Sequence, residues 1–332
     1  MSIFIASFAL LVGIVALIWG ADKFVIGSAG AARNLGISPI VIGLTIVSIG
    51  TSAPEIIVSI NAALNDAGEL AVGNALGSNI ANIGLVLGAT ALVSPLPVSR
   101  HILREESPVL LLVTGLAGLC LYDGFLNRLE SILLALLVLP LTILVINYKN
   151  TAHALSSEED ETIPRIESLT AAKWFFIGLI FLLVGAEVTV WGAREIAKFF
   201  GISELVIGLT VIALGTSLPE LAASVMSALK GHHDIAVGNV FGSNLFNLML
   251  VMSAAGAISP MQLEHSVFYR DYMSMAALTL CLVLFVFLAE RNNTDIKSKG
   301  FISRPFGAIF LLGYISYYVI LAVSLNTLPD PV

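Results

Sequence analysis

Two short segments carry the chemistry of this sequence: Gly50-Thr51-Ser52-Ala53-Pro54-Glu55 and Gly215-Thr216-Ser217-Leu218-Pro219-Glu220. Each sets a carboxylate, a proline and hydroxyls deep within an apolar run. An ionised side chain at the centre of a bilayer costs about 2.5–3.5 kcal/mol on insertion scales, so it persists there mainly for a partner or a pathway. Neither run contains a Lys or Arg, which leaves bound cations or protons as the counter-charges.

Proline has no N–H and clashes with the carbonyl four residues earlier, so Pro54 and Pro219 are expected to kink their helices and free backbone oxygens around Gly50 and Gly215. Freed carbonyls at membrane depth must face protein or a cavity. With Glu55, Glu220 and the hydroxyls of Thr51, Ser52, Thr216 and Ser217, they offer the mixed oxygen set that a hard cation such as Ca²⁺ takes, six to eight ligands at about 2.3–2.6 Å. The following helices add Asn74, Ser78, Asn79 and Asn82, and Asn239, Ser243, Asn244 and Asn247. Ser78 and Asn82 share a helix face, as do Ser243 and Asn247. Gly73, Gly77, Gly238 and Gly242 read first as close-packing positions between membrane helices.

The elements that position these residues follow from composition. The chain has 332 residues, 57% hydrophobic and 12% charged, with mean hydropathy +0.95, far from a soluble protein's roughly 25% charged residues. Ten apolar runs are long enough to span a membrane, at about 3–24, 38–64, 70–94, 107–122, 128–148, 170–193, 203–229, 234–258, 272–290 and 305–325. The expected fold is an all-α integral membrane protein of ten transmembrane helices. No basic stretch suits nucleic acid, and the net charge is −7. Cys120 and Cys281 lie in apolar runs and form no disulfide framework. The N-terminal run reads as a retained span rather than a signal peptide.

A shift of 165 residues aligns 43–82 with 208–247, and 19 of the 40 positions are identical. Residues 1–148 and 170–332 are therefore two five-helix repeats, joined by a linker at 149–169 that carries an acidic cluster, Glu158 to Glu161. An odd number of crossings inverts the second copy, the arrangement by which secondary transporters place ion sites at the midplane. Lys and Arg divide 12 to 4 between the two sides, which puts both termini outside and the linker in the cytoplasm. Trp19, Trp174 and Trp191 lie near span ends, as aromatic belts do.

The paired GTSAPE and GTSLPE segments, each followed by GNALGSNIAN or GNVFGSNLFN, resemble the alpha repeats of the cation/calcium exchanger superfamily, specifically its prokaryotic sodium/calcium antiporter branch. The resemblance covers the ten-span layout. It implies four central cation positions, with Ca²⁺ held by the carboxylates of Glu55 and Glu220 and the carbonyls of Thr51 and Thr216. Sodium positions would use Ser52, Ser78, Ser217 and Ser243 with backbone oxygen from Ser48 and Ala213, and Asn82 and Asn247 would complete the middle. It further implies that the first and sixth helices slide as a pair. Better-known sodium/calcium members carry an aspartate at the position of Asn247. Two carboxylates balance one Ca²⁺ or two Na⁺, so a third Na⁺ would leave an excess of +1 in a poorly solvated pocket.

The resulting expectation is a Ca²⁺/Na⁺ antiporter of the prokaryotic inner membrane, working as a monomer among lipids, with Ca²⁺ and Na⁺ as cargo and no cofactor. A Ca²⁺/H⁺ or K⁺-dependent exchanger is the alternative, since a membrane carboxylate without its cation takes up a proton. No enzyme motif is present, and a passive channel would need a continuous pore. His232, His233 and Asp234 read as a polar turn rather than a metal site. Asp22 and its counterpart Glu187 read as interface anchors in preference to a cation entrance.

Overall fold

The computed structural model describes residues 3–98, 102–141, 143, 166–202, 207, 210–211, 213–291 and 300–326. Helices dominate because an apolar segment in lipid must satisfy its backbone polar groups internally. Helix α1 spans Ile3–Leu35, and the next run is broken into α2, Pro39–Thr51, and α3, Ala53–Leu64, bent by 47°. Helix α4 covers Gly68–Val93 and α5 Ile102–Tyr122, followed by α6 at Arg128–Leu136. Helix α7 spans Ser168–Phe199, a short α8 covers Ala213–Thr216, and α9 covers Leu218–Leu229. Helices α10 (His233–Ile258), α11 (Val267–Arg291) and α12 (Arg304–Asn326) complete the order.

Among the described residues, seven helices are long and apolar enough to cross a membrane, eight when α2 and α3 count as one broken span. The crossings expected at 128–148 and 203–229 lie partly outside the described residues, and Glu158 to Glu161 lie wholly outside. Among the described residues, four short strands depart from the purely helical expectation. Strands β1 (Leu96–Val98) and β2 (Phe125–Leu126) pair antiparallel with β4 (Gly300–Ile302) and β3 (Met261–Gln262), respectively. They stitch interhelical loops in pairs, too short to carry an alternating pattern that sequence reading could detect.

Helices α4 and α10 form the centre. Within their most apolar windows, 94% of α10 and 72% of α4 is buried, against 22% of α1. These two central helices also carry the Asn and Ser residues, which lipid would penalise and the bundle interior accepts. Gly238 and Gly242 serve close packing as expected: a Cβ on Gly238 would lie 2.6 Å from the Ile40 carbonyl, and one on Gly242 would collide with the Leu44 carbonyl. Their counterparts differ, with Gly73 exposed and Gly77 half-buried.

Helices α1 and α7 outrun the expected 3–24 and 170–193. At 33 and 32 residues each is about 50 Å long. Gly13, Gly20 and Gly27 recur every seven residues on α1, and Gly178, Gly185 and Gly192 do so on α7. The two helices run antiparallel in contact along this stripe: Gly13 meets Thr189, Gly20 meets Leu182 and Gly27 meets Phe175, each so closely that a Cβ would strike partner backbone. Gly20→Val or Gly185→Val is therefore expected to force the pair apart at a cost of about 1–3 kcal/mol, lowering the unfolding midpoint in detergent. An unchanged midpoint would contradict this packing account.

Candidate cation site

Each glutamate occupies the first turn of a new helix. The chain leaves helical geometry at Ser52 (φ −83°, ψ 6°) and at Ser217 (φ −88°, ψ 2°), and α3 and α9 restart immediately with Glu55 and Glu220 in their first turns. Pro54 and Pro219 sit at the second positions of these helices, where the missing N–H leaves no partner unsatisfied. The prolines thus start helices as well as break them. The new N-termini direct partial positive charge at both carboxylates, which helps two acids remain in the interior.

Helix α3 packs on α4, α9 on α10, and α2 and α4 both on α10. This crossing gathers the expected residues. Glu55 and Glu220 are each 1% exposed, and Ser48, Thr51, Ser52, Ser78, Ser217, Ser243, Asn82 and Asn247 are buried with them. The Ser52 hydroxyl donates to Oε1 of Glu220 across the two halves at 3.0 Å. Ser48 donates to the Leu44 carbonyl at 2.8 Å, and Ala213 opens α8.

Six buried oxygens of this set lack any hydrogen-bond partner: Oε2 of Glu55, Oε2 of Glu220, Oγ of Ser217 and Ser243, and Oδ1 of Asn82 and Asn247. Leaving a buried polar atom unpaired costs roughly 1–3 kcal/mol, more when charged. Orphaned oxygens drawn from both halves suit cations rather than protein partners. Asn82 and Asn247 each begin a π-helical segment, Asn82–Leu87 and Asn247–Met252, and such widened turns recur at functional sites.

Supporting contacts from the expected Asn residues bring in Ser59 and Ser224, which sequence reading did not single out. Asn74 donates to the Glu55 carbonyl at 3.2 Å and to Ser59 at 3.1 Å, while Asn239 donates to Ser224 at 3.0 Å. Ser59 and Ser224 lie four residues after their glutamates and 165 apart, a signal that was present. Asn79 donates to the Asn244 carbonyl at 3.2 Å and ties α4 to α10.

The halves are not in equivalent states. Thr51 is fully buried, with its hydroxyl 3.2 Å from Oδ1 of Asn239, whereas Thr216 is half-buried and lines a cavity of about 220 Å³ with Pro54, Pro219, Gly215, Glu187 and Arg194. On the opposite side α1 closes against α9 through Ala21, Phe24 and Ala223. There Asp22 is anchored by Lys230 at 2.6 Å and Lys23 at 3.1 Å, as expected for an interface anchor; Glu187 departs from that expectation. His232 lies in the turn before α10, where burial pushes its imidazole below the ordinary value.

A membrane-embedded pocket of hard oxygens built from two matching half-helix breaks defines a cation-handling membrane protein. The sequence pattern of the family described as sodium/calcium exchanger protein matches residues 5–147 and 170–323. The chain belongs to this family, within the prokaryotic branch of the cation/calcium exchanger superfamily, and is an antiporter for cation/Ca²⁺ exchange. It is 44% identical to the putative antiporter CaxA of Alkalimonas amylolytica, over 96% of this chain and 99% of that one. It is 32% identical to the sodium/calcium exchanger MaX1 of Methanosarcina acetivorans, over 94% and 97%. The sodium-calcium exchanger NCX_Mj, in a structure soaked with zero Na⁺ and Ca²⁺, superposes with a TM-score of 0.81 at 32% identity, covering 99% of this chain and 100% of that one.

Proposed function

We propose that this protein exchanges Ca²⁺ for Na⁺ by alternating access, with Glu55 and Glu220 as the shared carboxylate ligands. The observation that carries this reading is the set of six unpartnered buried oxygens contributed by both halves. One Ca²⁺ would take both carboxylates and the carbonyls of Thr51 and Thr216. Na⁺ would take Ser52, Ser78, Ser217 and Ser243, backbone oxygen of Ser48 and Ala213, and the amides of Asn82 and Asn247. Two carboxylates balance one Ca²⁺ or two Na⁺, so the exchange is two for one and electroneutral.

Ten crossings in two inverted five-helix repeats, 1–148 and 170–332, account for the antiparallel α1–α7 pair and for π-helical segments recurring at a spacing of 165 residues. The glycine stripe makes α1 and α7 one rigid unit suited to sliding over the site. With both termini outside, the cavity at Thr216 opens outward and the Asp22 side is the shut cytoplasmic face. Every ligand comes from one chain, which supports a monomer as the working unit.

Purified protein in vesicles tests the coupling ion. An outward Na⁺ gradient at matched pH is expected to drive Ca²⁺ uptake with or without K⁺, and a pH gradient without Na⁺ is expected to drive none. Uptake on the pH gradient alone would replace this reading with Ca²⁺/H⁺ exchange.

A further inference from the structure

Glu187 on α7 and Asp22 on α1 stand at matching places in the two repeats, 165 residues apart, yet meet opposite surroundings. Glu187 is exposed in the cavity that reaches Thr216 and Pro219, and no ion pair to it is seen among the described residues. Asp22 lies on the shut side, where the Lys230 ammonium contacts its carboxylate at 2.6 Å. The first-repeat counterpart of Lys230 is Asn65, so the second half offers a tethered cation where the first offers an amide.

We propose that Glu187 is the outermost cation-capturing carboxylate of the open passage. Asp22 is its counterpart for the shut passage, and Lys230 holds the place of a cation there until that passage opens. The inference rests on the exchanger reading above and assigns each access path its own first contact. An exposed carboxylate holds a hydrated Ca²⁺ or Na⁺ loosely, raising its local concentration above the buried site without dehydrating it. Within the same cavity Arg194 lies two turns further along α7, about 10.5 Å away on the axis, and its guanidinium repels cations. Glu187 offsets that charge on the way to Thr216. On the other face, losing a partly exposed ion pair is a small penalty, so an arriving cation can displace Lys230 as α1 moves.

The test is sided transport in vesicles holding the protein in one orientation, with Ca²⁺ varied on the cavity face at low ionic strength. Glu187→Gln is expected to raise half-saturating Ca²⁺ about fivefold, with a smaller change in maximal rate. Glu187→Asp should restore most of the loss, and Arg194→Gln should move half-saturation downward. The shift should shrink in concentrated choline chloride, because screening weakens exposed charges. Asp22→Asn is expected to act on half-saturation only when Ca²⁺ is varied on the opposite face. An unchanged half-saturation in Glu187→Gln, or an equal shift from both faces, overturns the proposal while leaving the exchanger intact. Absence of Ca²⁺ exchange in the unaltered protein would instead bring down the exchanger reading, and this assignment with it.

Discussion

Ca²⁺ transport is expected to fall by a factor of roughly 10²–10³ in Glu55→Gln and again in Glu220→Gln, with each variant still inserted and folded. Both carboxylates are 1% exposed and each keeps one oxygen without a protein partner. Removing one member of a buried charge arrangement costs about 3–5 kcal/mol, and 1.4 kcal/mol is a factor of ten. Glutamine matches the shape of glutamate and still accepts hydrogen bonds at the first turn of α3 or α9, so the fold loses little. The ion site loses one full negative charge. Half-neutralised Ca²⁺ in this pocket would carry an excess of +1 with no water to spread it. Radioactive Ca²⁺ uptake into vesicles, beside a size-exclusion profile of each variant, reads the two effects separately. Wild-type uptake by either variant would place the ion elsewhere.

Much of this site was legible because expensive features recur in duplicate. A single intramembrane glutamate has several explanations, but two glutamates 165 residues apart, each preceded by Pro and Thr-Ser, narrow them to a shared pocket between halves. The kinks at Pro54 and Pro219 were likewise readable from the missing N–H. The role of each proline as the second residue of a new helix was not. That depends on where the preceding segment stops, and Ser52 and Ser217 stop it through their own backbone angles. The glycines of α1 and α7 were also readable at their seven-residue spacing. Their partner was not, because a glycine stripe does not disclose which helix it faces.

Other features could not be read at all. The π-helical segments after Asn82 and Asn247 shift the register by one residue per turn, and hydrophobic periodicity cannot resolve that in a helix apolar on every side. The difference in state between the halves is more basic. GTSAPE and GTSLPE are nearly the same segment, yet Thr51 is sealed and Thr216 faces a cavity. Alternating access requires two halves able to exchange roles, so local sequence must suit both environments and cannot by itself choose between them. The unequal fates of Asp22 and Glu187 come from the same broken symmetry, with Lys230 against Asn65 as the one local hint.

The charge balance of the pocket yields the second large effect. Asn247 is buried with both side-chain polar atoms unpartnered, so Asn247→Asp introduces a carboxylate of the same size without a clash. Three carboxylates would balance three Na⁺, while Ca²⁺ would leave the pocket at −1. One net charge would then cross the membrane in each cycle, where the two-for-one exchange proposed above moves none. Moving one charge through 100 mV is worth about 2.3 kcal/mol, a factor of roughly 50 in the Ca²⁺ gradient sustained at equilibrium. With the potential clamped by ion diffusion, Ca²⁺ accumulation by the unaltered protein is expected to be flat with voltage, and accumulation by Asn247→Asp to change by about that factor. Identical voltage dependence in the two proteins would show that the amide does not set the stoichiometry. A voltage-dependent unaltered protein would show that a third Na⁺ binds without a third acid, held by the serine hydroxyls and backbone carbonyls that line the same pocket.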